Sequence, residues 1–512
     1  MIIMAVLKPR YPSFYIISYY TGYIILGTAC LMGLPLLTSL LLGEWSPVID
    51  FAISMSVSVT FGCLLMIFGR RAKTDGTQVD WKYGFIIAAL SWILLMFLCS
   101  VPYLLSGHTN SLLDGCFDVM SGFTTTGLVL TQDLDHLSVG LNMWRHMLTF
   151  IGGQGMVVLA LSFLGRQAGG AYKMYCGEGK DIKLLPNVKD TARIIWKISL
   201  IYLGVGTLAL WICGMFIGLS PLNAFFHGLF IFESAWSTGG FAPTTQNMMF
   251  YHSFAYEVIT VVFFVLGSFN FGLHYAVWRG GKKELFKNIE TQSFFFSSFI
   301  LCALAVVKLS QSGIYTNAVS VFRRVVYNLL SAHTTTGFGT VYARQFASDW
   351  GDFGVLILII AMLIGGSACS TAGGFKGLRV GIVVKGIVSD IRKILAPERT
   401  IRISKYHHIK DITLDDATVK AAALIIVCYV GLFAITALLG TFCGYSLMDS
   451  AFESASVTGN VGLSIGVTSA SMPAVLKLMY ILAMYLGRLE FLSVFALIGF
   501  VIGGVKKLCV RH

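Results

Sequence analysis

The sequence predicts an all-α polytopic membrane protein with ten transmembrane helices, the last eight forming four helix–pore loop–helix repeats around a central pore. Three observations carry that prediction. Apolar residues make up 56% of the 512-residue chain and charged residues 12%, about half the ~25% charge of a soluble protein. Uncharged stretches such as 17–42 and 83–106 exceed the roughly 18 residues that mark a membrane-crossing helix. A glycine-centred loop then recurs four times, which implies a repeated architecture. A soluble enzyme, a disordered chain and a secreted disulfide scaffold are excluded.

The elements follow in order. Apolar runs at 13–42 and 48–69 are joined by the short 43–46 turn and form an N-terminal pair. Runs at 83–106 and 143–165, 194–219 and 253–278, 294–311 and 352–390, and 417–443 and 474–505 complete ten crossings. The run at 352–390 is too long for one simple crossing and is interrupted by Gly365, Gly366, Gly373 and Gly374. Between the members of each of the last four pairs lies an apolar stretch too short to cross, then a Gly/Thr/Ser-rich segment, which reads as a re-entrant half-helix and loop. The chain divides into the N-terminal pair (1–75) and repeats at 76–180, 181–290, 291–400 and 401–512.

Charge sets the orientation. The net charge is +12, and 30 of the 37 Lys and Arg residues fall at Lys8/Arg10, 70–82, 166–197, 279–287, 376–420 and 506–511. Those groups flank apolar runs on alternate connections, the positive-inside pattern. Topology therefore accounts for the charge, no nucleic-acid partner is implied, and both termini are placed in the cytoplasm. The 11 cysteines lie mostly in apolar runs without a CxxC pair, and read as packing residues. The first apolar run exceeds a signal-peptide core of roughly 7–15 residues, so it is expected to stay as a helix.

The repeat aligns on Gly127, Gly240, Gly337 and Gly462, within FDVMSGFTTTGL, FIFESAWSTGGF, YNLLSAHTTTGF and FESASVTGNVGL. Six residues earlier stand Ser121, Ser234, Ser331 and Ser456, and ten earlier Phe117, Phe230, Tyr327 and Phe452. Each following span carries another glycine: Gly152, Gly267, Gly365 and Gly487. Non-helical backbone at membrane depth needs a cavity, and four such loops can share one. Glycine frees the backbone to aim carbonyl oxygens inward, while Thr and Ser add hydroxyls. Such an oxygen ring replaces an ion's hydration shell and suits a hard cation rather than a transition metal. The candidate filter is Thr124, Thr125, Thr126 and Gly127; Ser237, Thr238, Gly239 and Gly240; Thr334, Thr335, Thr336 and Gly337; and Gly459, Asn460, Val461 and Gly462. It would hold a monovalent cation. Asp118, Glu233 and Glu453 could draw cations toward its mouth or accept hydrogen bonds from loop amides.

Two candidate gates follow. The residues after the span glycines are Gly153, Ser268, Gly366 and Arg488. Three small residues leave a space that one long cation can fill, and a charge within a span is functional by default. Glu490 could pair with Arg488, but residues two apart on a helix point to different faces. The second gate is GGSACSTAGGFK, with Gly365, Gly366, Ser370, Gly373, Gly374 and Lys376. Its glycines, at about 1 kcal/mol each, argue against stable helix; it reads as an unwound intramembrane loop or as a close helix contact.

These residues resemble the Trk/Ktr/HKT superfamily of potassium transport proteins, and the two extra N-terminal helices resemble its TrkH-type pore-forming subunit. The resemblance spans nearly the whole chain. It implies four repeats around one filter, a filter glycine per loop tied to potassium selectivity, a pore arginine at Arg488, and a gating loop at 365–376. Gly459-Asn460-Val461-Gly462 departs from the threonine-rich pattern. The resemblance further implies a homodimer in a bacterial inner membrane and a cytosolic TrkA-type regulator that carries the nucleotide, NAD(H) or ATP. No cofactor is expected on this chain, because GGQG, SFNFG and GGSAC lack the G-x-G-x-x-G spacing. The expected function is thus potassium uptake. A sodium- or proton-coupled secondary transporter is the alternative, although such folds show two inverted repeats where this chain shows four in one sense. An intramembrane enzyme is a minor alternative: His146, His227 and His274 lie in or near spans, but HExxH is absent.

Overall fold

The computed structural model describes residues 12–70, 80–156, 158, 174–176, 188–315, 317–397 and 404–509. Lys8/Arg10, much of the 70–82 and 166–197 clusters, and the end of the 143–165 run lie outside them.

Within the described residues, six helices are long and apolar enough to cross a membrane: Phe14–Leu42, Trp45–Gly69, Trp81–Leu105, Asp190–Phe216, Ile289–Gln311 and Asp416–Phe442. The first two cross closely because glycines let the backbones approach. A Cβ on Gly69 would lie 2.4 Å from the Tyr19 amide nitrogen, and one on Gly22 2.7 Å from the Gly62 carbonyl. Close backbone approach at small residues is how helices associate without a hydrophobic driving force. The pair is tied to the remainder by Glu44, whose carboxylate accepts from the amides of Val139 (2.9 Å) and Gly140 (3.1 Å). That cap satisfies orphan donors at a helix start.

Each of the last four apolar pairs encloses a half-helix: Leu112–Phe123, Pro221–Trp236, Tyr327–His333 and Leu447–Thr458. The third is preceded by a π turn at Phe322–Val326. Three begin with a serine, Ser111, Ser220 or Ser446, whose hydroxyl accepts an amide in the first turn, a favoured N-cap. Between each half-helix and the next break, the chain returns through Val139–Gln154, Phe254–Gly267, Gly351–Ile364 and Ala474–Leu489.

Here the structure corrects the sequence reading. The runs at 253–278 and 474–505 are not single straight helices: Phe254–Gly267 and Phe271–Trp278 meet at 99°, and Ala474–Leu489 and Leu492–Gly503 at 114°. The helix of the 143–165 run likewise ends at Gln154, before Gly155 at φ 101°. Only the 352–390 interruption was visible as a glycine cluster. It separates Gly351–Ile364 from Gly377–Ile394. A short hairpin, β1 (Lys405–His408) and β2 (Lys410–Thr413), pairs antiparallel within the basic connection before Asp416–Phe442.

Candidate functional site: a ring of four loops

Each half-helix ends four residues before its loop glycine, at Phe123, Trp236, His333 or Thr458. The exit is the same each time. Thr125, Thr238, Thr335 and Asn460 take left-handed backbone, with φ between 51° and 56°. The amides of Thr126, Gly239, Thr336 and Val461 then bond back to the carbonyls of Ser121, Ser234, Ser331 and Ser456 at 2.7–2.8 Å. This is a Schellman closure, with a residue where glycine is usual. Left-handed backbone costs an L-residue roughly 1–2 kcal/mol, and for β-branched threonine it is a genuine outlier. Such strain persists only where the surroundings over-determine it.

Those surroundings are a closed ring. A Cβ on Gly127 would lie 2.5 Å from the Gly239 carbonyl oxygen, one on Gly240 2.3 Å from that of Thr336, one on Gly337 2.0 Å from that of Val461, and one on Gly462 2.0 Å from that of Thr126. Each glycine therefore backs onto the residue preceding the glycine of the next loop. Since φ at the four glycines runs from 67° to 93°, any residue with a Cβ is strained there and must displace the carbonyl it meets.

The loop hydroxyls hold this backbone. Thr124 and Thr126 meet through their hydroxyls at 2.7 Å, and Thr334 and Thr336 at 2.8 Å. Thr125 and Thr238 donate to the carbonyls of Thr124 and Ser237 (2.7 Å each), and Ser237 to that of Glu233 (2.6 Å). In the departing loop, Asn460 Nδ2 donates to Thr126 Oγ1 (3.1 Å) and to the Met484 carbonyl (3.0 Å).

The chain beyond three of the four loops is anchored nine residues upstream of the glycine. Asp118 accepts from the Leu130 amide (2.7 Å), Asn328 from that of Thr340 (3.1 Å), and Glu453 from that of Ile465 (3.0 Å). Glu453 also accepts from the Val467 amide and the hydroxyls of Ser464 and Thr468. The second repeat carries Ile231 at this position, and the residue matching Leu130 is Pro243, which has no N–H to donate. Asp118 and Glu453 thus accept loop amides. Glu233 does not share that geometry: its Oε2 is buried without a hydrogen bond among the described residues. Asn328 was missed, although its offset from Gly337 would have revealed it. On one side of the ring, a cavity of about 230 Å³ is lined by Gly127, Gly240, Gly462, Thr131, Asn247 and Thr468 among others.

On the opposite side sit both gate candidates. Arg488 ends its helix with the guanidinium on three carbonyls: Thr371 (2.5 Å), Gly152 (2.9 Å) and Gly153 (3.2 Å). Glu490 instead pairs with Lys376 and Arg379, and stands in the helix break with Phe491, both at positive φ. Three return glycines let their helices reach the half-helix ends: a Cβ on Gly152, Gly267 or Gly487 would lie 2.0–2.4 Å from the carbonyl of Phe123, Trp236 or Thr458. Gly365 differs, since its Cβ would strike Gly373.

The 365–376 segment leaves the helix and closes on itself, with the Phe375 amide on the Leu363 carbonyl (2.8 Å) and that of Lys376 on Ile364 (3.0 Å). Its tip reaches all four loops. Thr371 Oγ1 donates to the Gly267 carbonyl (2.8 Å), with the Trp236 carbonyl at 3.1 Å and the Thr238 hydroxyl at 3.2 Å. Thr125 Oγ1 lies 3.4 Å from the Thr371 carbonyl, and the Gly373 amide donates to Thr335 Oγ1 (2.8 Å). A Cβ on Gly373 would meet the Gly459 carbonyl at 2.3 Å. Ser370 turns inward to the Ser367 carbonyl (2.6 Å). Thr371 is the central contact, and the glycine count directed attention past it. The spans' histidines are structural: His146 bonds the Asn142 carbonyl, His227 the Tyr251 hydroxyl and His274 the Leu266 carbonyl.

Comparison with known proteins agrees with this architecture. The chain is 29% identical over 482 residues to the Trk system potassium uptake protein TrkH of Vibrio parahaemolyticus, covering 91% of this chain and 94% of the relative. It is 28% identical over 438 residues to an uncharacterized cation transporter of Methanocaldococcus jannaschii, covering 85% and 86%. The crystal structure of the potassium transporter TrkH from Vibrio parahaemolyticus superposes with a TM-score of 0.81 at 26% identity, covering 94% of this chain and 98% of that one. Residues 54–501 match the family described as TrkH, cation transport protein. The chain therefore belongs to the TrkH family and is a multi-pass membrane transport protein, not an enzyme.

Proposed function

We propose that this chain takes up potassium across the plasma membrane through a channel-like filter made by the four loops. The closed glycine–carbonyl ring carries the reading: at four places a loop carbonyl sits against the glycine of the next loop, and a ring of backbone carbonyls is what replaces an ion's hydration shell. Relatives named as potassium uptake proteins favour potassium as the cargo. In this reading Thr124–Gly127 and its three counterparts coordinate the ion through carbonyls, while their hydroxyls hold the walls. The half-helices point their partly negative C-termini at the ring, again favouring a cation.

Arg488 and the 365–376 loop form the closed gate, with Thr371 against the ring and the guanidinium beneath it. The loop swings aside about its ends near Gly365 and Gly374 once the contacts of Thr371, Thr335 and Arg488 release. Ten crossings in four repeats after an N-terminal pair, cytoplasmic termini in a bacterial inner membrane, a homodimer and a cytosolic TrkA-type nucleotide-binding regulator complete the proposal. An ion-coupled transporter is less favoured, because the ring has four corresponding contacts running in one sense. Rubidium flux into proteoliposomes with sodium and potassium competition tests the filter; a reversal potential that moves with pH would favour proton coupling.

A further inference from the structure

One buried carboxylate serves neither the ring nor Arg488. Glu290, 1% exposed, stands at the start of Ile289–Gln311. Its Oε1 accepts from the Ala368 amide (2.5 Å) and its Oε2 from Asn270 Nδ2 (3.3 Å). Asn270 lies in the break before Phe271–Trp278 and donates in turn to the Ala368 carbonyl (2.7 Å). The Ser367 amide on the Ser268 carbonyl (2.9 Å) completes this seam. The root of the 365–376 loop is thus clipped to the second repeat through Glu290.

Behind Glu290 stands the β1–β2 hairpin. His408 Nδ1 lies 3.7 Å from Glu290 Oε2, and neither ring nitrogen makes a hydrogen bond among the described residues. The neighbouring His407 is held between two carboxylates, Glu284 at Nε2 (2.7 Å) and Asp411 at Nδ1 (2.7 Å). Glu284 belongs to the short helix Glu284–Lys287 that leads into Ile289–Gln311. His407 therefore latches the hairpin to the segment that carries Glu290.

We propose that Glu290 is a positioning residue for the 365–376 loop and that the hairpin governs it, the His407 latch pressing His408 against Glu290 while the loop lies under the ring. This rests on the reading of that loop as a gate.

The charged groups around the latch give the proposal a sign. Asp411 and Glu284 raise the His407 pKa, and Lys405 and Lys287 stand near Asp411. Burial pushes His408 down to about 4, so it is neutral at cytosolic pH. With its folded pKa raised, the charged latch is fully formed below the ordinary imidazole value of about 6.5. It is lost as pH rises through the raised value. Alkaline pH on the hairpin side should therefore free the loop and raise flux.

Rubidium flux in proteoliposomes, with pH varied on the hairpin face, tests this. Wild type should conduct about tenfold faster above the His407 pKa than below it, the scale of one charge-assisted hydrogen bond. His407→Ala should be fast and flat with pH, and His407→Arg slow and flat, because its charge is permanent. Glu290→Gln should also be fast, and the His407→Ala/Glu290→Gln double variant no faster than either alone. A pH-dependent rise surviving in His407→Ala, or effects of the two substitutions that multiply, overturns the latch. A wild type that conducts no monovalent cation refutes the conduction reading itself.

Discussion

Replacing Arg488 with alanine removes one positive charge and three donated hydrogen bonds from the underside of the ring. Two effects follow, and both favour flux. A monovalent cation passing about 5 Å from a guanidinium feels about 3 kcal/mol of repulsion at an effective dielectric of ~20, which is about a hundredfold in rate. The lost bond to Thr371 also frees the loop tip, since hydrogen bonds from a charged group are each worth about 1.5–3 kcal/mol. Arg488→Ala should thus raise rubidium flux by about a hundredfold. Arg488→Lys keeps the charge without the planar fork that spans several carbonyls, and should fall between. The assay is tracer uptake into potassium-loaded proteoliposomes, with monodisperse elution as the check on folding. Unchanged flux in a folded Arg488→Ala protein would refute the electrostatic barrier.

Other substitutions probe the scaffold. Glu453→Ala strips the acceptor from amides at Ile465 and Val467 and from two hydroxyls; leaving such donors orphaned should cost about 3 kcal/mol or more, read as a lower midpoint in a thermal elution assay. Gly487→Ala drives a Cβ to 2.4 Å from the Thr458 carbonyl and should destabilise the protein by about 1–3 kcal/mol. Gly204→Ala meets nothing within 4 Å and, within a helix interior, should be neutral or stabilise by up to about 1 kcal/mol. Equal effects at Gly487 and Gly204 would contradict the close-approach explanation.

The legible part of this molecule was what local sequence enforces. Long apolar runs declared the helices, and the loop glycines declared the ring because a Cβ there would strike a neighbouring carbonyl. The same steric demand made Gly152, Gly267 and Gly487 align. Harder to read were features that tertiary contacts impose against local preference. Thr125, Thr238 and Thr335 occupy left-handed backbone that threonine disfavours, so no propensity argument finds them. The 114° bend at Glu490 has no proline, and depends on Lys376 and Arg379, more than a hundred residues away. Glu290 likewise meets Ala368 across 78 positions. Its nearest sequence cue, Asn288 as the cap of Ile289–Gln311, gave no hint of the loop it holds. Pro243 was readable in retrospect, since the missing N–H and the missing carboxylate at Ile231 fall at matched offsets.

The four contacts of the ring are not equally tight, and the difference exposes the central claim to a direct test. A Cβ on Gly127 has 2.5 Å to the neighbouring carbonyl, whereas one on Gly337 has only 2.0 Å. Serine at the looser position should displace the Gly239 carbonyl while leaving the ring closed. Gly127→Ser is then expected to conduct with its preference for potassium over sodium lost, and Gly337→Ser to lose flux altogether. The decisive measurement is the potassium-to-sodium permeability ratio of wild type and Gly127→Ser in the same proteoliposomes. A ratio well above one that collapses toward one in the variant is the result predicted. An identical ratio in both proteins, with flux intact, would mean that the glycine ring does not select the ion.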